Sequence, residues 1–148
     1  MKQFYSVIIL PVLILLLVTP VIGSDDWVKY FVDEYGNVLS YKKVNIDKDG
    51  GKFIVQVWEK DVFSDKSREK IINYSIKHGL FTEGYNKLSY EMCLLEIDCK
   101  KQKYNLLSYF YGDTDEKFLY NSESRDKSGW RDIAPNSRVD ILQKQVCE

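Results

Sequence analysis

Short segments with strand-forming composition, joined by turns, dominate the chain from residue 27 onward. Aromatic and β-branched residues, which favour strands, are concentrated at 27–32, 38–44, 52–62, 88–99, 104–111 and 118–122. Turn residues at 35–37, 47–51 and 112–115 separate neighbouring segments, and each of these turns contains glycine. Because parallel strands need long crossovers, these short connections predict an antiparallel sheet of about six strands.

Two segments have the period of a helix instead. Ser64 can cap a helix over residues 65–77, in which Ile71, Ile72 and Ile76 share one side. A second helix is predicted over 138–147, because Ser137 is followed three residues later by Asp140 and an apolar stripe continues to Val146. The predicted fold class is α+β, with one inserted helix and one C-terminal helix packed on the sheet.

The first 23 residues have the composition of a secretory signal peptide. Lys2 is their only charge, residues 7–18 are apolar, and Val21-Ile22-Gly23 gives the small-residue pattern of a cleavage site. A transmembrane anchor of roughly 20 residues is the alternative, but two prolines interrupt the run and no basic cluster follows it. We expect cleavage after Gly23, which leaves residues 24–148 as one domain.

The charge pattern gives no support for nucleic acid or anionic lipid as a partner. Acidic and basic residues are interspersed, and the whole chain has a formal net charge of −1. Lys100-Lys101-Gln102-Lys103 is the densest basic cluster, and we interpret it as a solvated turn. We therefore predict no nucleic-acid binding and no membrane span after signal cleavage.

Residues for catalysis or metal binding are not brought together by the sequence pattern. His78 is the only histidine and ends the first predicted helix, where a cation suits the helix dipole. The three cysteines lack the spacing of zinc ligands or of a redox pair. Residues 45–50 resemble the start of a calcium loop, but Gln56 takes the position of the bidentate glutamate, so we predict a hairpin turn. We predict no enzymatic activity, no cofactor and no metal.

Trp27, Trp58 and Trp130 allow two interpretations. Tryptophan is enriched among residues that anchor interfaces, but it also packs in cores. We favour core packing against the sheet for all three. Exposed tyrosines on an outer strand face are a weaker candidate for a contact surface.

Several segments, in order and spacing, resemble the bacterial surface-adhesin protein E family. They are 95–99, 109–112 and 130–137, together with Val146-Cys147, Trp27 and Val57-Trp58. The resemblance covers nearly all of residues 24–148. The chain departs from the family in having Cys93 and in having Lys42-Lys43 where the family has an acidic residue.

The resemblance implies a sheet with packed helices, export to the periplasm or surface of a Gram-negative bacterium, and no catalysis. The named family member is an adhesin for host-matrix and plasma proteins. We therefore expect an adhesin-like binding protein whose partner is a host-matrix or envelope protein. The alternative functions are a structural or assembly component of an envelope complex and an enzyme with an unrecognised site.

A disulfide is expected in the oxidising compartment outside the cytoplasm. Cys93 and Cys99 lie six residues apart on one predicted strand, about 20 Å, which is too far for a bond between them. Cys147 therefore pairs with one of the two, and their shared direction does not choose between them. The position of Cys99 at the strand end favours Cys99–Cys147, and the family resemblance implies the same pair.

Overall fold

Neighbouring strands of the sheet pair antiparallel and follow the order of the chain. The computed structural model describes residues 27–80, 82–123 and 129–148. The strands are β1 (Val28–Val32), β2 (Val38–Asp47), β3 (Ile54–Val62), β4 (Leu88–Asp98), β5 (Lys103–Asp113), β6 (Phe118–Glu123) and β7 (Arg131–Asp132). They lie in the order β1-β2-β3-β4-β5-β6, and the short β7 pairs with the beginning of β5. The predicted antiparallel sheet is confirmed, and with the two helices it gives the predicted α+β fold.

Both predicted helices form, and serine caps each of them. The inserted helix α1 spans Asp65–Lys77, and Ser64 Oγ accepts a hydrogen bond from the Ser67 amide at 3.2 Å. The C-terminal helix α2 spans Arg138–Val146, and Ser137 Oγ accepts from the Asp140 amide at 3.2 Å. Each cap satisfies an amide that the first helical turn would otherwise leave unpaired. A 3₁₀ turn, Tyr85–Lys87, precedes β4.

Both helices pack on the same face of the sheet, which we call the helix face. Leu142 and Val146 of α2 are fully buried against Val55, Val57, Leu95 and Ile97 of the central strands. Burying each such side chain contributes about 1.5–3 kcal/mol to stability. The apolar stripe of α2 therefore holds it to the centre of the sheet.

The predicted apolar side of α1 is only partly correct. Ser67 and Ser75 are buried and Ile71 is half-buried, whereas Ile76 is 63% exposed. Residues 67, 71 and 75 are each four apart, so they form one row along the helix. This row is directed toward the sheet, whereas the sequence pattern predicted that the side with Ile72 and Ile76 would be.

The other side of the sheet carries no helix among the described residues, and we call it the open face. Its large side chains include Trp58, Tyr90, Met92, Leu94, Phe110 and Phe118. The interpretation of Trp58 as a core residue is wrong, because Trp58 alternates with the buried Val57 and Glu59 and so faces away from the core. Glycine is required at position 112, where a Cβ would lie 2.1 Å from Cζ of the Tyr90 ring.

The cysteine pairing is confirmed. Cys99 at the end of β4 and Cys147 after α2 form a disulfide with their Cα atoms 5.6 Å apart, and Cys93 is buried and free. The bond ties the end of α2 to the sheet. The predicted signal peptide, residues 1–23, lies outside the described residues, and none of the described helices is long and apolar enough to cross a membrane.

We expect Cys147→Ser to lower the stability of the domain much more than Cys93→Ser. Closing a loop across 48 residues stabilises the fold by about 4 kcal/mol in the chain-entropy model. Thermal unfolding followed by circular dichroism should show a melting temperature lower by roughly 10 °C or more for Cys147→Ser. Equal shifts for the two variants would contradict the role given to the disulfide.

Candidate functional site

A cleft of about 520 Å³ opens between α1 and β5 on the helix face. Its volume is within the range of small-molecule and side-chain binding sites. The described residues that line it are mostly apolar or aromatic, and they are Lys70, Ile71, Tyr74, Ser75, Leu80, Tyr85, Tyr109 and Tyr111. We call it the tyrosine cleft.

One wall of the cleft is built by the alternation of a strand. Tyr109 and Tyr111 are two residues apart on β5, so both point to the helix face, opposite Cys93 and Glu91 of β4. Their ring centroids are 6.2 Å apart, and Tyr85 packs edge-on against Tyr111 at 5.9 Å. Phe63 contacts Tyr111 in the same way at 6.1 Å. Each ring is held by a neighbour, so this wall is already formed without a ligand.

The opposite wall is the last part of α1 with the residues that follow it. The Tyr74 ring stacks on the His78 ring with centroids 4.0 Å apart, and His78 Nδ1 lies 2.8 Å from the Tyr74 carbonyl oxygen. His78 therefore packs at the end of the helix and is not among the residues that line the cleft. Leu80 forms the rim and is 53% exposed, so it is accessible to a ligand.

Lys70 is the only charged side chain among the described residues of the lining. Its Nζ lies 4.0 Å from the centroid of the Tyr35 ring, and Lys66 Nζ lies 5.3 Å from the same centroid. Cation–π contacts of this kind hold an ammonium group without neutralising it. The rim of the cleft is therefore positively charged, while its walls are aromatic.

A buried ion cluster on the helix face adjoins the cleft. Arg138, the first residue of α2, donates from Nε and Nη2 to the two carboxylate oxygens of Glu59 at 2.9 and 2.7 Å. Its Nη1 donates to Asp61 at 3.1 Å, and the Tyr30 hydroxyl donates to Glu59. Burial alone would lower the pKa of Arg138, but the hydrogen bonds to Glu59 and the charges of Glu59, Asp61 and Glu91 together outweigh burial and raise the pKa. Arg138 is therefore a permanent cation on which two buried strand carboxylates depend.

Glu91 links this cluster to the cleft. It lies 3.8 Å from Arg138 and accepts a hydrogen bond from the Cys93 thiol at 3.3 Å. Burial, followed by the charge of Glu91, raises the pKa values of both Cys93 and Tyr111. Thiol and phenol are therefore protonated at neutral pH, which suits packing and hydrogen bonding rather than nucleophilic attack.

The other residues singled out in the sequence lie outside the cleft. Residues 45–47 extend β2 beyond the predicted strand end at 44, and the predicted hairpin turn follows them at 48–51. Trp27 is half-buried next to Lys60, and Trp130 is half-buried in a pocket of about 370 Å³ with Asp98. Within the described ranges, no group of three or more His, Cys, Asp and Glu residues is placed to hold a metal ion.

The residues of the cleft and of the ion cluster were not predicted from the sequence. One usable signal was the Tyr109-x-Tyr111 spacing, which puts two large rings on the same face of a strand. Glu59 and Asp61 continue the buried alternation of Val55 and Val57, so two carboxylates were predictable on an otherwise apolar face. That they meet Arg138, more than 75 residues away, depends on where α2 lies.

Comparisons of the chain with protein-family models, with curated proteins and with solved structures gave no match. The resemblance to the surface-adhesin protein E family is therefore still a prediction from the residues.

We predict that Asp61 contributes more to the stability of the domain as the pH falls from about 7 toward 4. Burial raises the pKa of Asp61 to about 6, from 3.8, despite Arg138, and its Oδ1 is buried without a hydrogen-bond partner. The folded state therefore favours protonated Asp61. This stabilisation is complete below the unfolded pKa and is lost as the pH rises through about 6, for a total on the order of 3 kcal/mol.

Urea unfolding at several pH values can isolate this contribution. The difference in unfolding free energy between wild type and Asp61→Asn should shift in favour of wild type as the pH falls from 7 to 4. Asp65→Asn, the same change at a side chain that is 92% exposed, serves as the control. A wild-type minus Asp61→Asn difference that stays constant with pH would disprove the assignment.

Proposed function

We propose that this chain is an exported, non-catalytic binding protein of the bacterial envelope or cell surface. The single observation that carries the proposal is the tyrosine cleft, a preformed aromatic concavity with a cationic rim. Tyrosine provides a large contact area, limited loss of side-chain entropy and a hydroxyl for hydrogen bonding, and is therefore enriched at binding sites. The resemblance to the surface-adhesin protein E family and the disulfide support export.

The lining of the cleft indicates the chemistry of its ligand. Rings on both walls favour an apolar or aromatic group, and Lys70 favours a negative charge next to it. The raised pKa values of Cys93 and Tyr111 favour a binding role for the groups nearest the cleft. We propose that the cleft takes an apolar side chain flanked by an acidic group, as on the surface of a host-matrix or envelope protein.

A structural or assembly component of an envelope complex is the second candidate function. The open face favours it, because Trp58 and Phe110 are only half-buried there and Phe118 is 64% exposed, and exposed aromatic surface is typical of sites that contact another protein. The two functions use opposite faces of the sheet, so they can be tested separately.

A matched pair of substitutions near the end of α1 tests the cleft. Leu80 lines the cleft and Ile76 does not, yet both are more than half exposed and neither substitution should disturb the core. Anilinonaphthalene sulfonate, an aromatic anion, serves as the probe. We expect saturable binding to wild type and to Ile76→Asp, and binding at least about tenfold weaker to Leu80→Asp, which corresponds to about 1.4 kcal/mol.

The same three proteins can then be used to capture ligands from envelope and host-matrix extracts. Proteins retained by wild type and Ile76→Asp but not by Leu80→Asp would be ligands of the cleft. Equal retention by all three, or a hydrolase activity lost only in Leu80→Asp, would contradict the proposed function.

A further inference from the structure

The open face carries a cluster of four aromatic rings, of which Tyr90 is buried at 7% exposure, Trp58 and Phe110 are half-buried, and Phe118 is exposed. Phe110 lies at its centre, with ring centroids 5.9 Å from Trp58, 6.4 Å from Tyr90 and 4.5 Å from Phe118. Phe118 is 64% exposed, the largest exposed fraction among the large apolar side chains of the described residues. Each of the other three rings makes an edge-to-face contact with Phe110, so the cluster is already packed together before any partner arrives.

One positive and one negative side chain on this face are placed so that the face is complementary to a second copy of itself. Trp58 of β3 is paired with Leu94 of β4, and Lys60 lies two residues from this pair toward one end of the strands. Glu96 lies two residues from the pair toward the other end. At about 3.3 Å per residue, the two charges are about 13 Å apart along the strands, with the apolar pair midway between them.

Both charges are held in place without being neutralised. Lys60 Nζ lies 4.5 Å from the centroid of the Tyr90 ring, and Glu96 accepts a hydrogen bond from the Asn105 amide group at 3.4 Å. Neither residue takes part in an ion pair within the part of the chain that the structure describes. Each is therefore available to pair with an opposite charge on a surface that packs against the open face.

A two-fold axis brings these charges together. Suppose that the axis lies in the plane of the interface, is perpendicular to the strands and passes over the Trp58–Leu94 pair. The strands of the second copy then run in the opposite direction to those of the first. Lys60 of the first copy then faces Glu96 of the second, and Glu96 of the first copy faces Lys60 of the second. Such a symmetric pair of contacts is what an isologous interface requires. A different protein would need an acidic and a basic group at the matching positions, whereas a second copy of this chain already has both.

We propose that the open face is the interface of a homodimer in which two sheets pack face to face. Sheets packed in this way lie about 10 Å apart, a distance that rings from both faces can fill. Four strands at about 4.8 Å spacing and nine residues at about 3.3 Å give a footprint of roughly 570 Å² per copy. This is at the lower end for specific interfaces, so we expect a reversible dimer at micromolar concentrations.

Sedimentation velocity of the exported protein, from about 1 to 500 μM, tests the dimer. We expect wild type to shift from monomer to dimer across this range. Lys60→Glu and Glu96→Lys each place like charges opposite one another, and each should weaken dimerisation by at least about tenfold. The double variant Lys60→Glu/Glu96→Lys restores opposite charges and should restore most of the wild-type dissociation constant.

Two further variants make the test independent of folding defects. Phe118→Ser changes an exposed ring and should weaken the dimer without lowering the melting temperature, while Lys66→Glu on α1 should leave dimerisation unchanged. A monomeric wild type at all concentrations would overturn the proposal, because the face would then be bare or reserved for a different protein. A dimer that tolerates Phe118→Ser, or a double variant that is not restored, would also overturn it.

Discussion

The arrangement of this domain depends on the ion pairs that Arg138 of α2 forms with two carboxylates of the sheet. The alternation of β3 places Glu59 and Asp61 on the same face as Val55 and Val57, and both carboxylates are buried. A buried carboxylate without a counter-charge is strongly unfavourable, so the helix face requires a cation at this point. Arg138 provides it from the first turn of α2 and bonds to both residues. The disulfide of Cys147 fixes the other end of the same helix.

Fixing α2 at both ends determines which surfaces are left for contact. The helix covers the centre of the helix face, so α1 lies to one side, over the tyrosines of β5. The space between α1 and those tyrosines is the tyrosine cleft. With both helices on one side, the rings of the open face are left for a partner. The two proposed contact surfaces therefore follow from a single packing choice.

The local structure was largely predictable, because it depends on neighbours in the sequence. Period-two alternation and turn residues gave the strands, and Ser64 and Ser137 marked the starts of both helices. The strand β7 was not predicted, because its two residues are too few to show an alternating pattern. The rotation of α1 was predicted wrongly at Ile76, because the position of the buried row depends on the tyrosines of a distant strand.

The candidate site was less predictable, because long-range packing assembles it. Strand spacing excluded only a bond between Cys93 and Cys99, and the position of Cys99 at the strand end, together with the family resemblance, favoured Cys99–Cys147. Trp58 was assigned to the core because tryptophan often packs there, but its position next to Val57 in the alternating pattern of β3 places it on the opposite face. The pairing of Arg138 with Glu59 needed the docking position of α2, which no local pattern specifies.

The most direct test of this account is the unfolding free energy of Arg138→Met, Glu59→Gln and the double variant, measured by urea denaturation at pH 7. If Arg138 supports the buried carboxylates, its loss should destabilise the domain by about 3–5 kcal/mol. Adding Glu59→Gln to Arg138→Met should then recover part of that loss, because it removes one of the unpaired buried charges. An Arg138→Met variant destabilised by less than about 1 kcal/mol, or losses that simply add in the double variant, would contradict the account.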